Sequence, residues 1–218
     1  MEFKRGADVH MADGKKVGDV ERVVMDPVTK EVTHIVIDKG IMFSEDKVVP
    51  LTWIEEAEED RVTLRAGIDQ QGFDELPSFE TFDLVPFTPA DEDYPDTAPT
   101  PLYWYPTAGV AWWDYPGLRG FYSRPAYIVE EEENIPEGAV ALKAGAKVIA
   151  ADGEQVGTVE RVITAEGGNR ATHLVVSEGV LFPEKKLIPT NWINSVQEDR
   201  VLLAVGETLL EQLQDYEE

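Results

Sequence analysis

The chain repeats itself. Shifted by 139 residues, Gly6–Gly67 aligns without a gap on Gly145–Gly206, and 28 of the 62 pairs are identical. Unrelated sequences of ordinary composition would match at roughly one position in fifteen. A duplication therefore fixes the architecture before any element is assigned. Ala12-Asp13-Gly14 matches Ala151-Asp152-Gly153, Val20-Glu21-Arg22-Val23 matches Val159-Glu160-Arg161-Val162, and Glu59-Asp60-Arg61-Val62 matches Glu198-Asp199-Arg200-Val201.

Each copy reads as short strands separated by turn chemistry. Asp13-Gly14 predicts a tight hairpin turn, because glycine supplies the positive φ such turns need. Val17–Met25 is valine-rich and predicts a strand, and Gly18 within it, like Gly157, predicts a bulge or a close backbone approach. Val32–Asp38, Lys47–Val49 and Arg61–Arg65 supply further strands, and Glu55–Asp60 reads as a polar turn. Strict alternation sets Ile35 and Ile37 against Val32, His34 and Val36. That second face is the expected joining surface if the copies pack about a pseudo-dyad. Leu209, Leu210 and Leu213 fit a short C-terminal helix. So many short strands in about 65 residues leave unpaired edges unless the sheet curls closed. The expected fold is all-β with minor helix: two small barrels related by duplication, spanning 1–80 and 138–218, with a partly ordered connector at 81–137.

Ala-Asp-Gly-x-x-Val-Gly-x-Val-Glu-x-Val, then Thr-His-hydrophobic-Val-hydrophobic, then Gly, then Lys-hydrophobic-hydrophobic-Pro occur in both copies. This pattern resembles the PRC-barrel family, which takes its name from the photosynthetic reaction centre H subunit and includes the C-terminal domain of the ribosome maturation factor. The resemblance implies small barrels that bind other proteins. The H subunit's membrane helix and the maturation factor's N-terminal domain have no counterpart in this sequence, so neither specific role transfers.

The connector is the other unusual tract. Residues 77–136 hold ten of the fourteen prolines, and eleven aromatics lie between Phe87 and Tyr127. Tyr103, Trp104, Tyr105, Trp112, Trp113 and Tyr115 form its densest part. Flexible linkers are poor in such rings, since burying one removes roughly 150–250 Å² from water. Three readings follow: a strap packed on the barrels, a contact surface for a partner or for self-association, or a disordered sticky tract.

A net charge of −24 repels phosphate backbones and anionic membrane surfaces, which argues against nucleic acid as a partner. The absence of cysteine excludes disulfides, thiolate nucleophiles and Cys-based zinc sites. No signal-peptide core and no run of about 18 apolar residues occurs, so no membrane insertion and a cytoplasmic location are expected. His34 and His173 match, as do Trp53 and Trp192; structural or inter-barrel packing is the expected role of each pair. The Glu21-Arg22 and Glu160-Arg161 pairs read as surface ion pairs. The acidic runs Glu55–Asp60, Asp91-Glu92-Asp93 and Glu130–Glu133 lack a calcium-loop pattern and read as solvated charge. With no acid–base or nucleophile set, no catalytic residue, cofactor or metal site is assigned. The expected function is a non-catalytic protein-binding scaffold with unknown protein partners. The alternatives are an acidic divalent-cation-binding or stress-related protein, and a peripheral subunit of a photosynthetic or other membrane complex.

Overall fold

The structure, a computed structural model, describes residues 1–38, 46–87, 126–177 and 185–216. It divides into a body, residues 1–79 and 134–218, and a separate unit, residues 80–133.

The first copy contributes β1 (Glu2–Lys4), β2 (Asp8–His10), β3 (Lys16–Met25), β4 (Val32–Asp38), β5 (Lys47–Pro50), β6 (Ile54–Glu58) and β7 (Arg61–Leu64). The second contributes β10 (Val140–Lys143), β11 (Lys147–Ile149), β12 (Gln155–Thr164), β13 (Ala171–Ser177), β14 (Lys185–Pro189), β15 (Ile193–Val196) and β16 (Arg200–Leu203). The sheets run β5-β4-β3-β2-β7-β6 and β14-β13-β12-β11-β16-β15. Their end strands are joined by single 3-10 turns, Leu51–Trp53 and Thr190–Trp192, so each sheet must curl until its ends approach. The barrels expected from the sequence are the observed fold. The separate unit is an antiparallel ribbon of β8 (Glu80–Phe87) and β9 (Ala126–Glu133), in register from Glu80↔Glu133 to Phe87↔Ala126.

Three local features differ from the sequence reading. Glu55–Asp60 is largely strand, since β6 runs to Glu58 opposite β7; exposed glutamates are compatible with a strand that pairs on one side only. In β4, strict alternation fails. Val24 pairs with His34 and Met25 with Val32, leaving Thr33 as an extra residue. That bulge turns Val32 into the same core as Ile35 and Ile37, while Val36 packs in a second cluster with Val24, Val48, Phe79 and Ala141. The duplication also runs past Gly67 and Gly206. After a two-residue difference, Phe73 and Leu210 are both buried in α1 (Gln70–Asp74) and α2 (Glu207–Leu210). Lys47 Nζ then donates to Leu76 O and Lys186 Nζ to Leu213 O, each at 2.9 Å. Phe79 N bonds Asp46 O and Tyr216 N bonds Lys185 O, each at 2.7 Å.

Gly18 and Gly157 explain themselves by contact. Their φ angles are +155° and +154°. A Cβ at Gly18 would collide with Asp38 O and Ile37 Cγ2, and one at Gly157 with Ser177 O and Val176 Cγ1.

Sequence did not reveal how the copies join. β1 lies antiparallel on β12 of the other copy, with Phe3 opposite Val162. β10 lies on β3, with Leu142 opposite Val23. Phe3 and Leu142 are equivalent under the 139-residue shift, so the two copies exchange their first strands reciprocally. Both side chains enter one apolar core that is continuous through the two barrels. Of the expected Val32/His34/Val36 face, Val32 reaches the second copy through its N–H to Asn169 O and Val36 packs on Ala141, but a flat face-to-face contact is not what joins the copies. The strand exchange is, because it satisfies backbone groups and buries aromatic and aliphatic side chains in one step.

Candidate functional site

The densest chemistry in the body lies along this seam. Bulges between Val20 and Arg22, and between Val159 and Arg161, reverse the parity of β3 and β12. Each turns its arginine away from the barrel core, on the side opposite Val23 or Val162. Arg161 is 2 % exposed. Its Nη1 donates to Glu2 Oε2 at 2.7 Å and its Nη2 to Glu59 Oε1 at 2.9 Å. Arg22 pairs with Glu198 and stacks on the Phe79 ring at 4.6 Å from its centroid. Arg22–Glu198 and Arg161–Glu59 are the same pair under the 139-residue shift, each reaching from one copy into the other. The expected surface ion pairs within Glu21-Arg22 and Glu160-Arg161 are thus corrected: both arginines are buried across the seam.

Burial opposes charge on Arg161, but the Glu2 hydrogen bond and the charges of Glu2 and Glu59 outweigh it and hold its pKa above the ordinary value. Lys4 is held high by hydrogen bonds to Asp60 and Glu59, each at 3.0 Å. Main-chain bonds repeat the symmetry. Arg5 N reaches Glu160 O and Ala144 N reaches Glu21 O, both at 3.2 Å; Val32 N reaches Asn169 O and Ala171 N reaches Lys30 O, both at 2.8 Å. A shallow crevice opens on the seam, lined by Phe3, Val23, Leu142 and Val162 with Glu21 and Glu160.

The copies differ at one face. In the second, Lys185 pairs with Glu160 at 2.9 Å and Thr158 Oγ1 meets Ser177 Oγ at 3.3 Å. In the first, the matching positions are Asp46 and Glu21, and Asp19 opposite Asp38. Burial, then a hydrogen bond and repulsion from Glu21, push the Asp46 pKa up to about 6. Among the described residues no group of three or more histidine or carboxylate side chains is placed to hold a metal ion.

His34 lies opposite Val24 and Pro50, and His173 opposite Ile163 and Pro189. The His34 Nδ1 is buried with no hydrogen-bond partner among the described residues, and burial pushes its pKa down. Trp53 and Trp192 are partly buried against the shared core, and their carbonyls accept from Arg65 N at 2.8 Å and Ala204 N at 2.7 Å. Tyr103, Trp104, Tyr105, Trp112, Trp113 and Tyr115 lie outside the described residues. The sequence reading named the seam arginines but placed them on the surface, and missed that they meet glutamates of the other copy across the seam. Their signal was an arginine among the valines of a strand, repeated in both copies.

A family model described as PRC-barrel domain matches residues 5–71 and, again, residues 144–210. Among curated proteins none matches the chain.

Proposed function

The chain belongs to the PRC-barrel family, which it matches twice, and on that premise we propose that it is a non-catalytic protein-binding scaffold. One observation carries this reading: reciprocal strand exchange makes the two barrels a single body with a continuous core. Such a body holds surfaces at a fixed spacing, which is what simultaneous contact with a protein partner requires. The ribbon, with Phe82 61 % exposed, leads in sequence into the aromatic connector. The charge of −24 favours partners with basic surfaces over nucleic acid. Among the described residues no helix is long and apolar enough to cross a membrane, and a cytoplasmic setting forms part of the proposal.

The test is affinity capture from native lysate with the whole chain and with a version whose residues 88–125 are replaced by an Asn-Gly turn. The reading expects a saturable protein partner, confirmed with purified components. Recovery of no partner by either version, or turnover of a small molecule by the purified protein, would reject it. A second reading, divalent-cation binding, is favoured by the Glu21–Asp46 pair, where like charges crowd on the first copy alone. Calorimetric titration with calcium and magnesium, on the parent and on Asp46→Asn, separates the two.

A further inference from the structure

We propose that the seam is a self-recognition surface on which a first half selects a second half, and that the covalent link between the halves is not needed to hold them together. The reciprocal contacts are those of an isologous dimer, where residue i of one unit meets j of the other and j meets i. Main-chain bonds, ion pairs and exchanged strands all cross the seam twice. Each half presents one strand and one socket, so neither barrel is complete alone.

The halves are not interchangeable: equivalent seam positions differ at Phe3 and Leu142 and at Glu31 and Arg170, which bridge each other, and one difference sets a charge against an apolar seat. Glu2 and Ala141 occupy the same place in the two exchanged strands. Glu2 bonds Arg161 and keeps 34 % of its side chain in solvent. Ala141 is 2 % exposed and packs among Val24, Val36, Val48 and Phe79. If two first halves paired, Glu2 would enter the Ala141 seat beside the Phe79-stacked Arg22 and lose that solvent among Val24, Val36, Val48 and Phe79, a burial that costs a carboxylate even when it is paired. If two second halves paired, alanine would replace Glu2 and Arg161 would lose that carboxylate. Unlike pairing avoids both. Residues 2 and 141 are therefore a specificity-determining pair, and the partner that fits each half is the other half of this same chain, in cis or from a second copy.

The full chain carrying a specific protease site between Pro106 and Thr107 tests this. After complete cleavage, the two fragments are expected to co-elute at the volume of the uncut protein. Native mass spectrometry should then show one first-half and one second-half fragment per particle. Ala141→Glu should raise the dissociated fraction about tenfold or more. Should that variant fail to fold, Glu2→Ala serves instead: it removes the charge that bars like pairing, so first-half pairs should appear that the parent lacks. Separation of the parent fragments, like-with-like pairs in the parent, or the absence of first-half pairs from cleaved Glu2→Ala would each overturn the proposal.

Discussion

Phe3→Ala tests the exchange directly. A strand of only three residues would ordinarily fray, and truncating its central side chain would cost almost nothing. Here Phe3 is 1 % exposed, opposite Val162 of the other copy, in the core shared by both barrels. Removing a phenyl ring from such a site costs about 3–5 kcal/mol, as lost transfer energy plus the cavity left behind. That is a large share of the roughly 5–15 kcal/mol that holds most domains folded. With a urea slope of about 2 kcal/mol/M, the unfolding midpoint should fall by about 1.5–2.5 M at unchanged slope. Amide hydrogen exchange supplies the second readout. Because the core is continuous, protection should fall in β4 as well as in β13. A loss below about 1 kcal/mol, or softening confined to one copy, would mean that β1 does not seal the second barrel and would refute the exchanged architecture.

Gly18→Ala and Gly157→Ala should each destabilise by more than about 2 kcal/mol in the same titration, since a Cβ meets a neighbouring strand at an unfavourable φ; a neutral alanine at either position contradicts the close approach. For the seam ion pairs, Glu2→Gln with Glu59→Gln should cost more than Arg161→Met. The first change takes two carboxylates from a guanidinium at 2 % exposure, whereas the second leaves carboxylates 34 % and 39 % exposed, so the penalty falls near the lower end of the about 3–5 kcal/mol typical of broken buried pairs. Equal costs would show that burial of Arg161 carries no energetic weight. Asp46 has a folded pKa near 6, raised from 3.8, so the folded state binds the proton more tightly than the unfolded one. Its effect is a penalty that grows as pH rises from about 4 to 6 and stays constant above. Asp46→Asn should thus add about 1–2 kcal/mol at pH 8, after discounting for solvent screening, and little at pH 4. A gain that is equal at both pH values would sink this assignment.

The barrels were legible in the sequence because their signals are local. A valine run, Asp-Gly turns and glycine at the bulge state the strands residue by residue, and duplication states them twice. Parity was lost at Thr33 and Glu21, where a single extra residue flips the faces of β4 and β3; periodicity counts residues and has no access to which of them the partner strand skips. The seam was illegible for a different reason. Arg22 and Glu198 are 176 positions apart, and a charged residue in a strand reads as solvent-facing until the element that covers it is known. The Glu2 and Ala141 difference was outside the aligned block altogether, because the gapless match begins at Gly6.

What the connector does for the body follows from loop entropy. Phe79 O accepts from Asn134 N at 2.8 Å, so the segment leaves and re-enters the body at one place, and Phe87 faces Ala126 at the far end of the described ribbon. Replacing residues 88–125 by a two-residue turn shortens the loop about threefold. The closure cost scales as (3/2)RT ln n, so the body should become about 1 kcal/mol more stable if those residues make no contact with it. A strap of aromatic rings packed on the barrels predicts the opposite sign, since each ring withdrawn from water contributes about 1.5–3 kcal/mol. Urea unfolding of the shortened chain therefore separates two uses of the same tract by direction alone. A gain leaves the rings for a partner, and a loss of more than about 2 kcal/mol would assign them to the body and remove the connector from the proposed contact surface.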